Sequence, residues 1–147
     1  MGQTTVTRHI AAPVATVFDT VAHIENFSKA VPHIVNVEFL SDVRSGVGTR
    51  FRETRLMNER QASTELEVTE YVDNERVRIV GDAGGTVWDT VFTVARSDAG
   101  GTVLEMVMDA RAYKPLAKLM NPLIKGVVRK AIEKDLDAVK SYCERGE

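Results

Sequence analysis

The chain opens with a period of two. From Gln3 to Ile10, Thr4, Val6, Arg8 and Ile10 alternate with Thr5, Thr7 and His9, and β-branched residues dominate, which predicts a strand. Ala11-Ala12-Pro13 ends that pattern, and proline suits the first turn of a helix because its missing N–H would lack a partner there. The period then lengthens. Val14, Val17, Phe18, Val21 and Ala22 fall at i, i+3, i+4, i+7 and i+8, one apolar stripe on a short amphipathic helix. A second helical turn over Glu25 to Ala30 follows, stopped at Pro32.

Between His33 and about Ala112 no helical period of any length is found. Short β-rich segments run His33–Leu40, Thr49–Met57, Ala62–Tyr71, Arg76–Gly81, Thr86–Ala95 and Thr102–Ala112. Turn-forming stretches such as Ser45-Gly46-Val47-Gly48, Asp73-Asn74-Glu75 and Ala83-Gly84-Gly85 separate them, and connections this short predict antiparallel hairpins. The chain closes on a long helical pattern from about Leu116 to Glu144. Its apolar side is read as Met120, Leu123, Ile124, Val127, Val128, Ala131, Ile132, Val139 and Tyr142, with Lys118, Lys125, Arg129, Glu133 and Lys140 opposite. Pro122 is expected to start the main helix or kink it.

Seven strands, two short helices and one long helix predict an α+β fold, in which a curved antiparallel sheet buries its apolar face against the C-terminal helix. A sheet curling around a helix of about 28 residues, roughly 42 Å long, leaves an internal space. The 147 residues suit one domain, with no repeat or linker, and 44% hydrophobic against 27% charged residues is ordinary for a globular chain. A net charge of −2 gives no electrostatic footprint for nucleic acid. Cys143 alone permits no intramolecular disulfide. The N-terminal residues show no secretory signal, and Val6 stands where N-myristoylation wants Ser or Thr, so a cytoplasmic location is expected.

Several short stretches now bear on family. Ile10-Ala11-Ala12-Pro13-Val14-Ala15-Thr16-Val17-Phe18-Asp19, Ile24-Glu25-Asn26-Phe27-Ser28-Lys29 and Val31-Pro32-His33-Ile34 precede Gly46-Val47-Gly48-Thr49-Arg50-Phe51, Val68-Thr69-Glu70-Tyr71 and Gly100-Gly101-Thr102. With the terminal helix, they make the chain resemble the START/Bet v1-like (SRPBCC) superfamily over its whole length, and within it the polyketide cyclase/dehydrase and lipid-transport group. That resemblance implies a helix-grip fold around a cavity, and a family of binders, carriers and enzymes alike.

Strand alternation suggests which side chains face that cavity. Leu104, Met106, Met108 and Ala110 share an uncharged face; Trp88, Thr90, Phe92 and Val94 share another, and Leu66, Val68, Val77 and Ile79 follow the same logic. Met120, Ile124, Val127 and Val128 are expected to line it from the helix. If Phe51 points inward, Glu53 and Arg55 do too, as a pair able to orient a polar group of a small hydrophobic ligand. The alternative is a bulge after Phe51 or a pair at an open sheet end in water, where it contributes little.

The remaining motifs mostly subtract. Asp19 and His23, four apart, fall on the polar side of their helix and are expected in solvent. No HExxH, CxxC, GxSxG or strand-to-helix GxGxxG occurs, so neither metal nor cofactor is implied. Cys143, near the negative end of a helix, is expected to be structural. Tyr113 and Arg111 are candidates for the cavity rim or for a plain connection. Lys118, Lys125, Arg129, Lys130 and Lys134 face Glu133 as the one acid between them, a solvated face or a weakly supported contact with anionic membrane. Three readings follow: a binder or carrier of a lipid-, quinone- or polyketide-like molecule; a cyclase/dehydratase using Glu53 as base and Arg55 as its electrostatic partner; and a protein-interaction module.

Overall fold

The computed structural model describes residues 2–145. Its elements run β1 (Gly2–Ile10), α1 (Val14–Ala22), α2 (Ile24–Ala30), β2 (Ile34–Phe39), β3 (Arg50–Met57), β4 (Arg60–Val72), β5 (Arg76–Ala83), β6 (Thr86–Arg96), β7 (Thr102–Ala112) and α3 (Pro115–Glu144). The strands form one antiparallel sheet in the order β1-β7-β6-β5-β4-β3-β2. β2 to β7 are thus a meander, and β1 closes its far edge, so the chain must cross between sheet edges after β1. Helices α1 and α2 make that crossing, and α1 buries Val17, Phe18 and Val21 under the sheet. This is the helix-grip architecture of Bet v1-like proteins, with α3 held in the curve of the sheet.

Two stretches about 90 residues apart in the chain hold the crossing in place. The Thr102 hydroxyl donates to the Ala12 carbonyl at 2.7 Å, buried at the β1–α1 turn. Gly101 beside it has φ +79°, and a Cβ there would stand 2.5 Å from the Ile10 carbonyl oxygen. Only glycine fits that approach without strain.

Ion-pair ladders line the outer face of the sheet. Arg78 donates to both Asp89 oxygens, at 2.9 and 2.6 Å, and to Glu70 at 3.0 Å; Arg52 bridges Glu38 and Glu65. These are cross-strand pairs on the water side.

Helix α3 changes character along its length. Its C-terminal half buries Ile132, Leu136, Val139 and Cys143 at i, i+4, i+7 and i+11 against the core. Its N-terminal half stands off from β1 and β7, tethered by Asn121 Nδ2 donating to Thr86 Oγ1 at 3.0 Å. The helix passes through Pro122 without ending there. Among the described residues no helix is long and apolar enough to cross a membrane.

Candidate functional site

The sheet, α1–α2 and α3 enclose a main cavity of about 280 Å³, near the lower end of small-molecule sites, which span roughly 300–1,000 Å³. β3 contributes its odd-numbered side chains, Phe51, Glu53, Arg55 and Met57, as period-two alternation requires, and Thr49 just before it joins them. Leu66, Val68, Ile79, Trp88, Thr90, Phe92, Met106 and Met108 complete the sheet wall. Val128, Ala131, Ile132 and Asp135 face them from α3.

Glu53 and Arg55 therefore lie in the cavity wall, with no bulge after Phe51. Arg55 Nε donates to Glu53 Oε1 at 2.8 Å, and Nη1 lies 2.9 Å from Asp135 Oδ2. Among the described residues Nη2 has no acceptor. Burial works against the Arg55 charge, but the two carboxylates outweigh it and hold its pKa above the ordinary value. The carboxyl that burial pushes above its ordinary range is that of Asp135, against the opposing pull of Arg55.

A second polar pole lies toward the other end of the β3 inner face. His23 lines the cavity with Arg44 and Ser45; its ring nitrogens stand 3.4 Å from Tyr71 Oη and from Ser45 Oγ.

A smaller cavity of about 240 Å³ lies between the N-terminal half of α3 and β1 and β7. Trp88, Met108 and Val128 line both cavities and form the partition between them. The Trp88 indole donates to the Ala83 carbonyl at 3.2 Å, which fixes its ring.

Several expectations need correction. Met120 and Val127 are exposed and line neither cavity. Their face of α3 points outward, because the residues turned inward, such as Ala117, Ile124, Val128, Ile132 and Val139, follow a different line round the helix along its whole length. Ile124 and Ala110 line the smaller cavity, and Leu104 is wholly buried in the core. His23 faces the cavity, because α1 stops at Ala22 and His23 takes extended backbone, which turns its ring away from the helical polar face. Tyr113 binds Asp82 and Arg111 binds Asp89, so neither rims the cavity. Cys143 is buried against Thr20, and burial pushes its thiol pKa up.

Sequence reasoning missed Asp135, Tyr71 and the helix residues Val21, Ala22, Ile24 and Phe27 that cap the cavity. The apolar α1 stripe marked Val21 and Ala22 among the last group. Asp135 carried a signal as well, an acid at the spacing of the buried residues Ile132 and Val139.

The model of the family described as polyketide cyclase / dehydrase and lipid transport matches residues 1–144. Similar solved structures include a protein from Thermus thermophilus, 17% identical over 99% of both chains with a TM-score of 0.80. A START superfamily protein from Mycobacterium smegmatis is 16% identical over 99% of both chains, with a TM-score of 0.79. The di-domain ARO/CYC StfQ of the steffimycin biosynthetic pathway is 11% identical, over 97% of this chain and 50% of that one, with a TM-score of 0.80. At such identities the likeness shows the fold. No curated protein matches the chain.

Proposed function

The chain belongs to the polyketide cyclase / dehydrase and lipid transport family, and from that premise we propose that it binds a small, mostly apolar molecule in the main cavity, with one polar group of that molecule turned toward Arg55. One observation carries this reading: an otherwise apolar wall holds Glu53, Arg55 and Asp135 as a bonded cluster, and Nη2 of Arg55 is left for a further acceptor. Buried charge is tolerated where it is paired and hydrogen-bonded, and the unused donors then select a ligand with an oxygen at that place. Trp88, Phe92, Met106 and Met108 provide flat and adaptable surface for a ring system or a short acyl chain.

Native mass spectrometry with organic extraction tests this. The parent protein is expected to carry an apolar molecule or to bind anilinonaphthalene sulfonate saturably, and Thr90→Trp to do neither. A folded parent that carries nothing and binds no probe would sink the proposal.

A second reading, catalysis of the cyclase/dehydratase kind, is favoured by Asp135. A carboxyl held above its ordinary range beside a fixed cation keeps a proton where an exposed one has lost it, as a general acid or base requires. Asp135 then takes the proton-transfer role that the sequence assigned to Glu53, and Glu53 positions Arg55. Screening polyketide-like substrates discriminates the readings. Turnover abolished in Asp135→Asn with affinity retained supports catalysis; binding without turnover supports the carrier.

A further inference from the structure

The N-terminal half of α3 presents an apolar stripe to solvent. Leu116, Leu119, Met120, Leu123 and Val127 repeat at i, i+3, i+4, i+7 and i+11, and between 42% and 72% of each is exposed. Single exposed apolar residues are ordinary, but five large ones in line on one helix form a contiguous patch that marks a contact. This stripe belongs neither to the core nor to the cavities.

The charge around it is one-sided. Between Lys114 and Lys134 there are six basic residues and one acid, Glu133, in a chain whose totals are 19 basic and 21 acidic. At 3.6 residues per turn Lys130 and Lys134 continue the line of the stripe, whereas Lys118, Lys125 and Arg129 lie about half a turn away round the helix, Lys118 and Lys125 beside the smaller cavity and Arg129 paired with Glu133. An apolar strip continued along the helix by cations on long flexible stems, here Lys130 and Lys134, fits a helix lying in a lipid interface, its Leu side chains among acyl chains and its Lys heads at anionic headgroups.

We propose that this face of α3 docks the protein on an anionic lipid surface. A second copy fits less well, because a two-fold contact would bring the same cationic patch against itself. The docking face also leads to the cavities: Ala131, exposed one turn beyond Val127, lines the main cavity, and so does half-exposed Met57. Lipid contact would then sit beside a route inward. The docking stands independently of what the cavity holds.

Co-sedimentation with vesicles tests the proposal on the full chain. The protein is expected to pellet with phosphatidylcholine vesicles containing phosphatidylglycerol, not with phosphatidylcholine alone, and to release as salt is raised. Leu119→Gln with Leu123→Gln, and separately Lys130→Gln with Lys134→Gln, should each weaken apparent affinity on the order of tenfold or more. All four positions are exposed, so melting temperatures should stay near the parent's and report that the variants fold. No pelleting with anionic vesicles at low salt, or pelleting unchanged in both folded variants, would overturn the proposal. So would a parent dimer that the leucine variant converts to monomer without any vesicle binding, which would assign the stripe to self-association.

Discussion

Truncating Arg55 leaves Glu53 and Asp135 facing each other with the cation between them gone. Removing one member of a buried ionic cluster strands the others, and because Arg55 is partly open to solvent the loss for Arg55→Ala should be about 1–3 kcal/mol in urea denaturation. The same variant should lose affinity for anilinonaphthalene sulfonate, whose sulfonate would use the Arg55 donors; unchanged binding would remove Arg55 from the site. Asp135 makes a separate prediction through pH. Its folded pKa lies above the ordinary 3.8, so the folded chain holds that proton more tightly than the unfolded chain does. Its contribution favours folding at low pH and is lost as pH rises from 3.8 through the folded value. Asp135→Asn should therefore flatten that decline in melts across a pH series. The outer-face Asp89 runs the other way. Its hydrogen bonds from Arg78 hold its pKa below the ordinary value, so its stabilisation is present above 3.8 and is lost as pH falls through the folded value. Asp89→Asn should remove this acid-side loss and make the protein less stable at neutral pH, and a steeper acid limb in the variant would refute it.

At the scale of elements, the strands were legible because hairpin turns and β-branched runs are local signals, and the face of β3 was legible from parity alone. Parity failed in β4. The pairing slips between Val68 and Glu70, so Leu66 and Val68 face inward and Tyr71, three residues on, does too. Without that bulge Tyr71 would point to water; with it, the ring meets Phe18 edge-on at 5.4 Å and its hydroxyl reaches His23. No residue in Val68-Thr69-Glu70 announces a bulge. Helix α3 was misread for a different reason: Met120, Leu123 and Val127 group with the core residues in sequence because they too satisfy the helical period, and periodicity cannot tell a core face from an outward one. Asp135 was passed over because an acid at a core spacing reads as a break in the stripe until Arg55 is seen opposite. Gly81 offers a test of the β4–β5 pairing. It lies across from Leu66, and an added Cβ would run into the Leu66 side chain and stand 3.0 Å from the Glu65 carbonyl oxygen. Gly81→Ala should destabilise by about 1–3 kcal/mol in denaturant melts. Adding Leu66→Ala should recover only part of this, because the carbonyl stays; full recovery would show the side chain to be the whole obstacle.

At the scale of the molecule, the long helix lies tight against the core at one end and open at the other, and this divides the interior in two. The main cavity takes its ionic wall from the end where Asp135 reaches Arg55, and the smaller one is the gap beneath the raised half of α3. Trp88, Met108 and Val128 line both and stand between them. Two space-filling substitutions separate their roles. Thr90→Trp fills the main cavity, whereas Ala110→Phe fills the smaller one. If a ligand occupies the main cavity alone, Thr90→Trp abolishes binding and Ala110→Phe leaves the affinity for anilinonaphthalene sulfonate within about twofold, a difference of roughly 0.4 kcal/mol. If ligands span both, each substitution weakens binding, and Trp88→Ala, which merges the two spaces, should admit longer molecules while losing about 2–4 kcal/mol of stability from the vacated ring. Comparing the chain length of the best-bound fatty acid in the parent and in Trp88→Ala decides between these cases. A shift to longer chains means that the indole sets the length limit, and an unchanged optimum means that the ligand never reaches the partition.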